Sequence, residues 1–146
     1  MAPDFNDWVA ICETKARYCR CLDTKDWDGY ADCFTEDFVL ETPPDHVERG
    51  RENAVRYVRS LVEPWVTVHH VHNPEIAFDG PDGANVTWAM MDRNTYDDER
   101  ASEAGYSGHN GFGHYHERYL RCTDGKWRIA NSRLSYLHMD MYGKDN

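Results

Sequence analysis

The sequence predicts an α+β domain in which N-terminal helices pack on one curved antiparallel sheet and close it into a cone with an interior pocket. Three observations lead there. Apolar residues in the N-terminal part recur at steps of three and four, whereas the C-terminal half alternates with a period of two. Short turn signals separate the later strands, as hairpins require. At 146 residues the chain fits one ordinary domain, 1–146, and no repeat, low-complexity tract or linker marks an internal boundary.

From Asn6 to Asp23 the pattern is helical, with Val9, Cys12, Ala16, Cys19 and Leu22 on one side and Asn6 or Asp7 as candidate cap. Thr24 or Asp26 suits the start of a second short helix through Trp27, Tyr30 and Phe34. Phe38–Glu41 reads as a strand stopped by Pro43-Pro44. A third helix, Arg51 to Val62, carries Ala54, Val55, Val58 and Leu61 on one face. Strands follow over Trp65–Val71, Glu75–Phe78 and Asn85–Thr95, with a turn at Gly80-Pro81-Asp82-Gly83. Gly113–Cys122 and Trp127–Leu137 complete the set, joined by the hairpin signal Thr123-Asp124-Gly125.

Charge narrows the partners. Asp and Glu outnumber Lys and Arg 26 to 16, and no basic stripe is present to bind a phosphate backbone, so no nucleic acid is expected. No apolar run reaches the roughly 18 residues that cross a bilayer, and the acidic N-terminus lacks the features of a leader peptide; no membrane partner and a cytoplasmic location are expected. Cys12, Cys19, Cys21, Cys33 and Cys122 form no zinc spacing, and an odd number speaks against a disulfide scaffold. Cys12 and Cys19, seven apart on one helical face, read as small core residues.

Several residues could carry chemistry. Asp23 ends the first helix, where it either caps the next one or faces a site. Tyr18 lies five positions earlier, about 140° round a regular helix, so both border one cavity only if Asp23 lies beyond the last regular turn. His69, His70 and His72 suggest a metal site, but a strand's period of two puts His69 on one face and His70 and His72 on the other. His114 and His116 share a face with Arg118 where a facial metal triad needs a carboxylate. No metal is expected. Val86, Trp88 and Met90 share a face that continues to Asp92, either a pocket wall or the point where the strand leaves the core.

The run Arg17-Tyr18-Cys19-Arg20-Cys21-Leu22-Asp23, then Trp27-Asp28, the histidine strand and the closing Asp124-Gly125-Lys126-Trp127-Arg128-Ile129 together resemble the SnoaL-like branch of the nuclear-transport-factor-2-like (NTF2-like, cystatin-like) superfamily. The resemblance covers nearly the whole chain. It is nearest to the bile-acid 7α-dehydratase pattern and looser to the scytalone dehydratase and hexachlorocyclohexane dehydrochlorinase patterns. Tyr18 and Asp23 match the catalytic tyrosine and aspartate of that pattern, and His69, six residues before Glu75-Ile76, matches its histidine. Asp92, four residues after Trp88, matches a pocket aspartate; Asn110 in Gly108-His109-Asn110-Gly111, and Tyr115, fit the substrate-binding positions. Tyr136 stands where the bile-acid pattern has an arginine, with Arg133 three residues earlier, so the resemblance implies a different substrate.

The resemblance implies cofactor-independent acid–base chemistry on an apolar small molecule. His69 would remove a proton from a carbon acidified by a carbonyl, Asp23 would fix its tautomer and stabilise the imidazolium, and Tyr18 would bond the enolate oxygen. Loss of a hydroxyl or halide makes such a protein a lyase, chiefly a dehydratase; return of the proton elsewhere makes it an isomerase or cyclase. The superfamily also holds non-catalytic binding and structural members. A homo-oligomer, dimer or trimer, is expected by the same resemblance, with the face bearing His70, His114 and His116 as candidate contact.

Overall fold

The computed structural model describes residues 2–143. Helix α1 (Phe5–Thr24) opens with Asp4, whose side chain accepts from Asn6 and Asp7 N–H while Asp7 reaches back to the Asp4 N–H. The cap is thus Asp4, two positions before Asn6 and three before Asp7, because this reciprocal box satisfies more free amides than a single side chain can. Lys25 closes α1 in the left-handed conformation, and Asp26 caps α2 (Trp27–Ala31). Phe34 leaves the helical path and begins β1 (Phe34–Thr42). A short strand, β2 (His46–Arg49), and helix α3 (Arg51–Val62) follow.

The two expected strands after α3 are one, β3 (Val66–Phe78), bent at a bulge between His72 and Glu75 where Asn73 has φ 42°. A bulge keeps the ladder while turning the strand, so the break in alternation marks curvature rather than an end. Strand β4 (Gly83–Thr95), helix α4 (Asp98–Ala104), β5 (Gly108–Arg121) and β6 (Trp127–Tyr142) complete the chain. Both β5 and β6 run five residues further than expected at one end.

All six strands form one sheet in the order β2-β1-β6-β5-β4-β3. Every neighbouring pair is antiparallel except β1 with β6, which run parallel. The sheet is therefore mixed, since the α3 excursion carries the chain from the β1 edge to the opposite edge before it returns to β1 last. Shifts in the β5–β6 register at Phe112/Gly113 and Arg118/Tyr119 add to the curvature. At the first of these, a side chain on Gly113 would collide with the Ser135 backbone, so only glycine lets the strands approach.

Helices α1 and α3 cover the concave face. Ile11, Tyr18, Leu22, Tyr30, Phe34, Phe38 and Trp127 are nearly or fully buried between helices and sheet. Among the described residues no helix is long and apolar enough to cross a membrane.

Candidate active site

Asp23 lies in the last turn of α1, inside the helix. An acid at a helix C-terminus is disfavoured by the backbone dipole, so it needs strong compensation. Strand β3 supplies it. The Thr67 hydroxyl donates to Oδ1 at 3.0 Å, the His69 backbone N–H to Oδ2 at 2.8 Å, and the His69 ring Nδ1 to Oδ1 at 2.6 Å. Lys25 donates in turn to Thr67 Oγ1 at 2.9 Å. A carboxylate only accepts, so Nδ1 carries a proton, and a neutral ring would keep its lone pair on Nε2.

His69 projects into a cavity of about 300 Å³ between the helices and the concave face. Asp23 does not line it. The condition for a shared wall with Tyr18 is not met, because Asp23 remains helical; it reaches the cavity only through His69. Tyr18, Asp92, Tyr115 and Tyr136 do line the cavity, as expected. Most of the remaining wall is apolar: Leu22, Leu40, Val58, Leu61, Val62 and Leu134 among others.

Two expected positions lie elsewhere. Trp88 faces the same side as Asp92 but is 3% exposed within the core, below the cavity rather than in its wall. Asn110 points to the convex face, where its side-chain oxygen accepts from Arg93 at 3.1 Å. The cause is strand parity. Tyr115 faces inward, and β4 and β5 pair without interruption, so 109, 111 and 113 face inward with it. The inward residue of that segment is His109; the expected strand began at Gly113, so parity reaches it only once β5 is seen to start at Gly108.

The ionisable groups line up across three strands. His69 and Asp92 are directly opposite on β3 and β4, and Asp92 is opposite Gly111 on β5. A side chain on Gly111 would fall on Asp92 Oδ1 and the Tyr136 ring, so glycine leaves room for both groups. Tyr136 donates to Asp92 Oδ2 at 2.7 Å. Asp92 Oδ1 is buried with no hydrogen-bond partner, and so is Thr42 Oγ1, also in the cavity wall. Native interiors rarely leave such atoms unpaired, and here two of them open on the same space.

Burial first, then the neighbouring Tyr115 and Tyr30, holds the Tyr18 hydroxyl well above the ordinary tyrosine range. Burial acts likewise on Tyr115, and on Tyr136 together with the Asp92 charge. These phenols stay protonated and can donate. Among the described residues no group of three or more His, Cys, Asp or Glu side chains is placed to hold a metal ion. His70 and His72 lie on the convex face, as do His114 and His116, where His116 Nε2 meets Ser135 Oγ at 3.1 Å.

Similar proteins agree with this architecture. The candidate scytalone dehydratase of Novosphingobium aromaticivorans superposes with a TM-score of 0.81 at 22% identity, covering 94% of this chain and 88% of that one. A hexachlorocyclohexane dehydrochlorinase, LinA Type2, does so with a TM-score of 0.82 at 16% identity, covering 94% and 90%. These likenesses establish the NTF2-like fold. In sequence, the protein called Probable cyclase FGR4 of Gibberella zeae is 26% identical over 141 residues, covering 88% of this chain and 89% of that relative. The model of the SnoaL-like domain matches residues 3–133, and the chain belongs to the SnoaL-like family.

Proposed function

We propose that this chain is a cofactor-independent lyase, chiefly a dehydratase, acting on an apolar cyclic or polycyclic molecule activated by a carbonyl. One observation carries the reading: the Asp23–His69 pair, 2.6 Å apart, presents Nε2 to a mostly apolar cavity with unpaired polar atoms in its wall. His69 Nε2 takes the proton from the carbon beside the carbonyl. Asp23, held by Thr67 and the His69 backbone, stabilises the imidazolium that forms. The Tyr18 hydroxyl donates to the oxygen where enolate charge develops. The β-substituent then departs with its bonding electrons, leaving an alkene. The names borne by the dehydratase and dehydrochlorinase of like fold agree with this chemistry.

A cyclase using the same dyad is favoured by the name of the fungal relative. In that reading the carbanion attacks a second carbonyl within the ligand instead of expelling a group. Product analysis separates the two, because only elimination releases water or halide.

The shared first step is testable without the natural substrate. Incubation with 2-tetralone in deuterated buffer, followed by mass spectrometry, reads exchange of its acidic ring hydrogens. The wild type exchanges them above the buffer rate, and His69→Ala does not. Equal exchange by both proteins removes His69 as the base.

Assembly is a proposal on a different face. Val66 is 68% and Val68 41% exposed on the convex side of β3, near His70, and a second copy of this chain covers them. A 17.0 kDa species in sedimentation at micromolar concentration excludes this.

A further inference from the structure

We propose that Asp92 and His109 form a second proton-handling pair in the cavity, one that gives a proton to the departing oxygen while His69 takes one from carbon; this rests on the acid–base reading above. Asp92 is 2% exposed, yet only its Oδ2 is bonded. Its unpaired Oδ1 lies 3.9 Å from His109 Nε2. That gap is slightly too long for a hydrogen bond and short enough for a small ring rotation to close.

The bonding of His109 shows what closes it. The Asn94 amide nitrogen lies 3.0 Å from Nε2 and donates to it, so Nδ1 holds the ring proton and donates to Tyr96 Oη at 2.7 Å. A second proton on Nε2 would face that Asn94 donor and must find an acceptor. Asp92 Oδ1 is the buried acceptor left over. The pair thus has two states: neutral imidazole beside an unpaired carboxylate oxygen, or imidazolium bonded to it.

The ionisable groups around His109 set where it switches. Burial, His69 on β3 and Arg100 on α4 disfavour its cation, while the Asp92 charge on β4 favours it; the balance falls below the ordinary histidine value. Tyr96, bonded to Nδ1, and Tyr136, bonded to Asp92, stay protonated. Proton uptake therefore belongs to mildly acidic conditions. Tyr96 is partly exposed and links His109 toward solvent, the route by which the pair reloads.

His69, Asp92 and His109 stand on three adjacent strands, facing the same cavity. The ligand class follows: a ring bearing an acidic C–H and a hydroxyl on the next carbon. His69 Nε2 takes the hydrogen, and its C–H electron pair becomes the new C=C bond. The C–O pair leaves with oxygen, which takes the Nε2 proton of His109 and departs as water. One histidine gains a proton and the other loses one, so solvent restores both without a cofactor.

The probe is 3-hydroxy-1-tetralone, a two-ring β-hydroxy ketone whose dehydration gives fluorescent 1-naphthol. His109→Gln slows water loss by about 10², the lower end for a positioned acid. The same variant slows 2-tetralone hydrogen exchange far less than it slows water loss, because exchange expels no oxygen and needs no acid there. Wild-type water loss falls as pH rises and His109 loses its proton. The falling limb vanishes in His109→Gln. Unchanged water loss and an unchanged pH profile overturn the pair while exchange still upholds His69. If the wild type works on neither probe, the acid–base reading fails, and imidazole NMR decides on the pair. Asp92→Asn then lowers the titration midpoint of His109 if they are coupled; an unmoved midpoint overturns the proposal.

Discussion

The concave face holds two polar regions with opposite bonding. At the closed end Lys15 and Glu117 are fully buried, 2.6 Å apart. Ser132 and Tyr119 donate to the two Glu117 oxygens at 2.9 and 2.8 Å. The Lys15 ammonium also lies over the Tyr18 and Tyr115 rings, 3.7 and 3.6 Å from their centroids. At the cavity end Asp23 is likewise satisfied, but His69 turns Nε2 to empty space, and Asp92 and Thr42 keep unpaired oxygens. Both ends carry buried charge. Trp88 Nε1 is also unpaired, but within the packed core; only at the cavity end, among the described residues, do unpaired oxygens border space that a ligand could fill.

The comparison breaks most decisively at His69. Its change to alanine lowers the 2-tetralone exchange rate by about 10²–10⁴, the usual worth of a positioned base, while the melting temperature moves little. Asp23→Asn keeps the shape and is nearly as damaging, and the double variant costs little more than the worse single, since the residues act as a unit. Fully additive losses would show that they act separately.

Lys15→Met is the converse. It leaves Glu117 buried without its cation, a loss of about 3–5 kcal/mol, read as a large drop in the denaturation midpoint. Lys15→Met with Glu117→Leu recovers most of it, because two apolar residues no longer need pairing. If the double variant stays as unstable as the single, the closed end is held by shape rather than charge.

Smaller effects sharpen the picture. Tyr18→Phe lowers exchange by about tenfold, within the range for one donor at a developing oxyanion. Tyr18 donates only while protonated, and burial raises its pKa. Its contribution therefore persists through pH 10, where an ordinary tyrosine would lose it; a rate that falls there in the wild type but not in Tyr18→Phe contradicts this. Asp92→Asn removes an unpaired buried charge and raises stability by about 0.5–1 kcal/mol, measured by denaturant titration. His70→Ala, on the opposite face of the same strand, changes exchange and stability least, within about 0.5 kcal/mol. Damage there equal to that at His69 would mean the parity of β3 is not what sets function.

Much of this site was legible from spacing. Period two separated His69 from His70 and His72, and put Asp92 on the face of Trp88 and Tyr115 on that of Glu117 and Tyr119; the family pattern chose the pocket side for Asp92 and Tyr115. Carried from Tyr115 along the observed β5, the same rule picks out His109 and rejects Asn110, but the expected strand began at Gly113 and the family pattern pointed to the neighbouring residue. Trp88 shows the limit of parity, since an inward side chain may end in the core or at a cavity, and depth along the strand is not a periodic property.

The sequence by itself determined the three N-terminal helices and the course of the long strands, because these follow local periodicity, and the family pattern singled out Tyr18, Asp23 and His69; β2, α4 and the strand start at Phe34 did not show in it. Tertiary structure alone decided that β1 joins β6 in parallel, that Asp23 acts from behind His69, and that Asp92 Oδ1 is left unpaired opposite His109. Each is a matter of which groups meet across distant strands. Hydrogen bonds are made or missed over fractions of an ångström, and no pattern along one strand contains that distance.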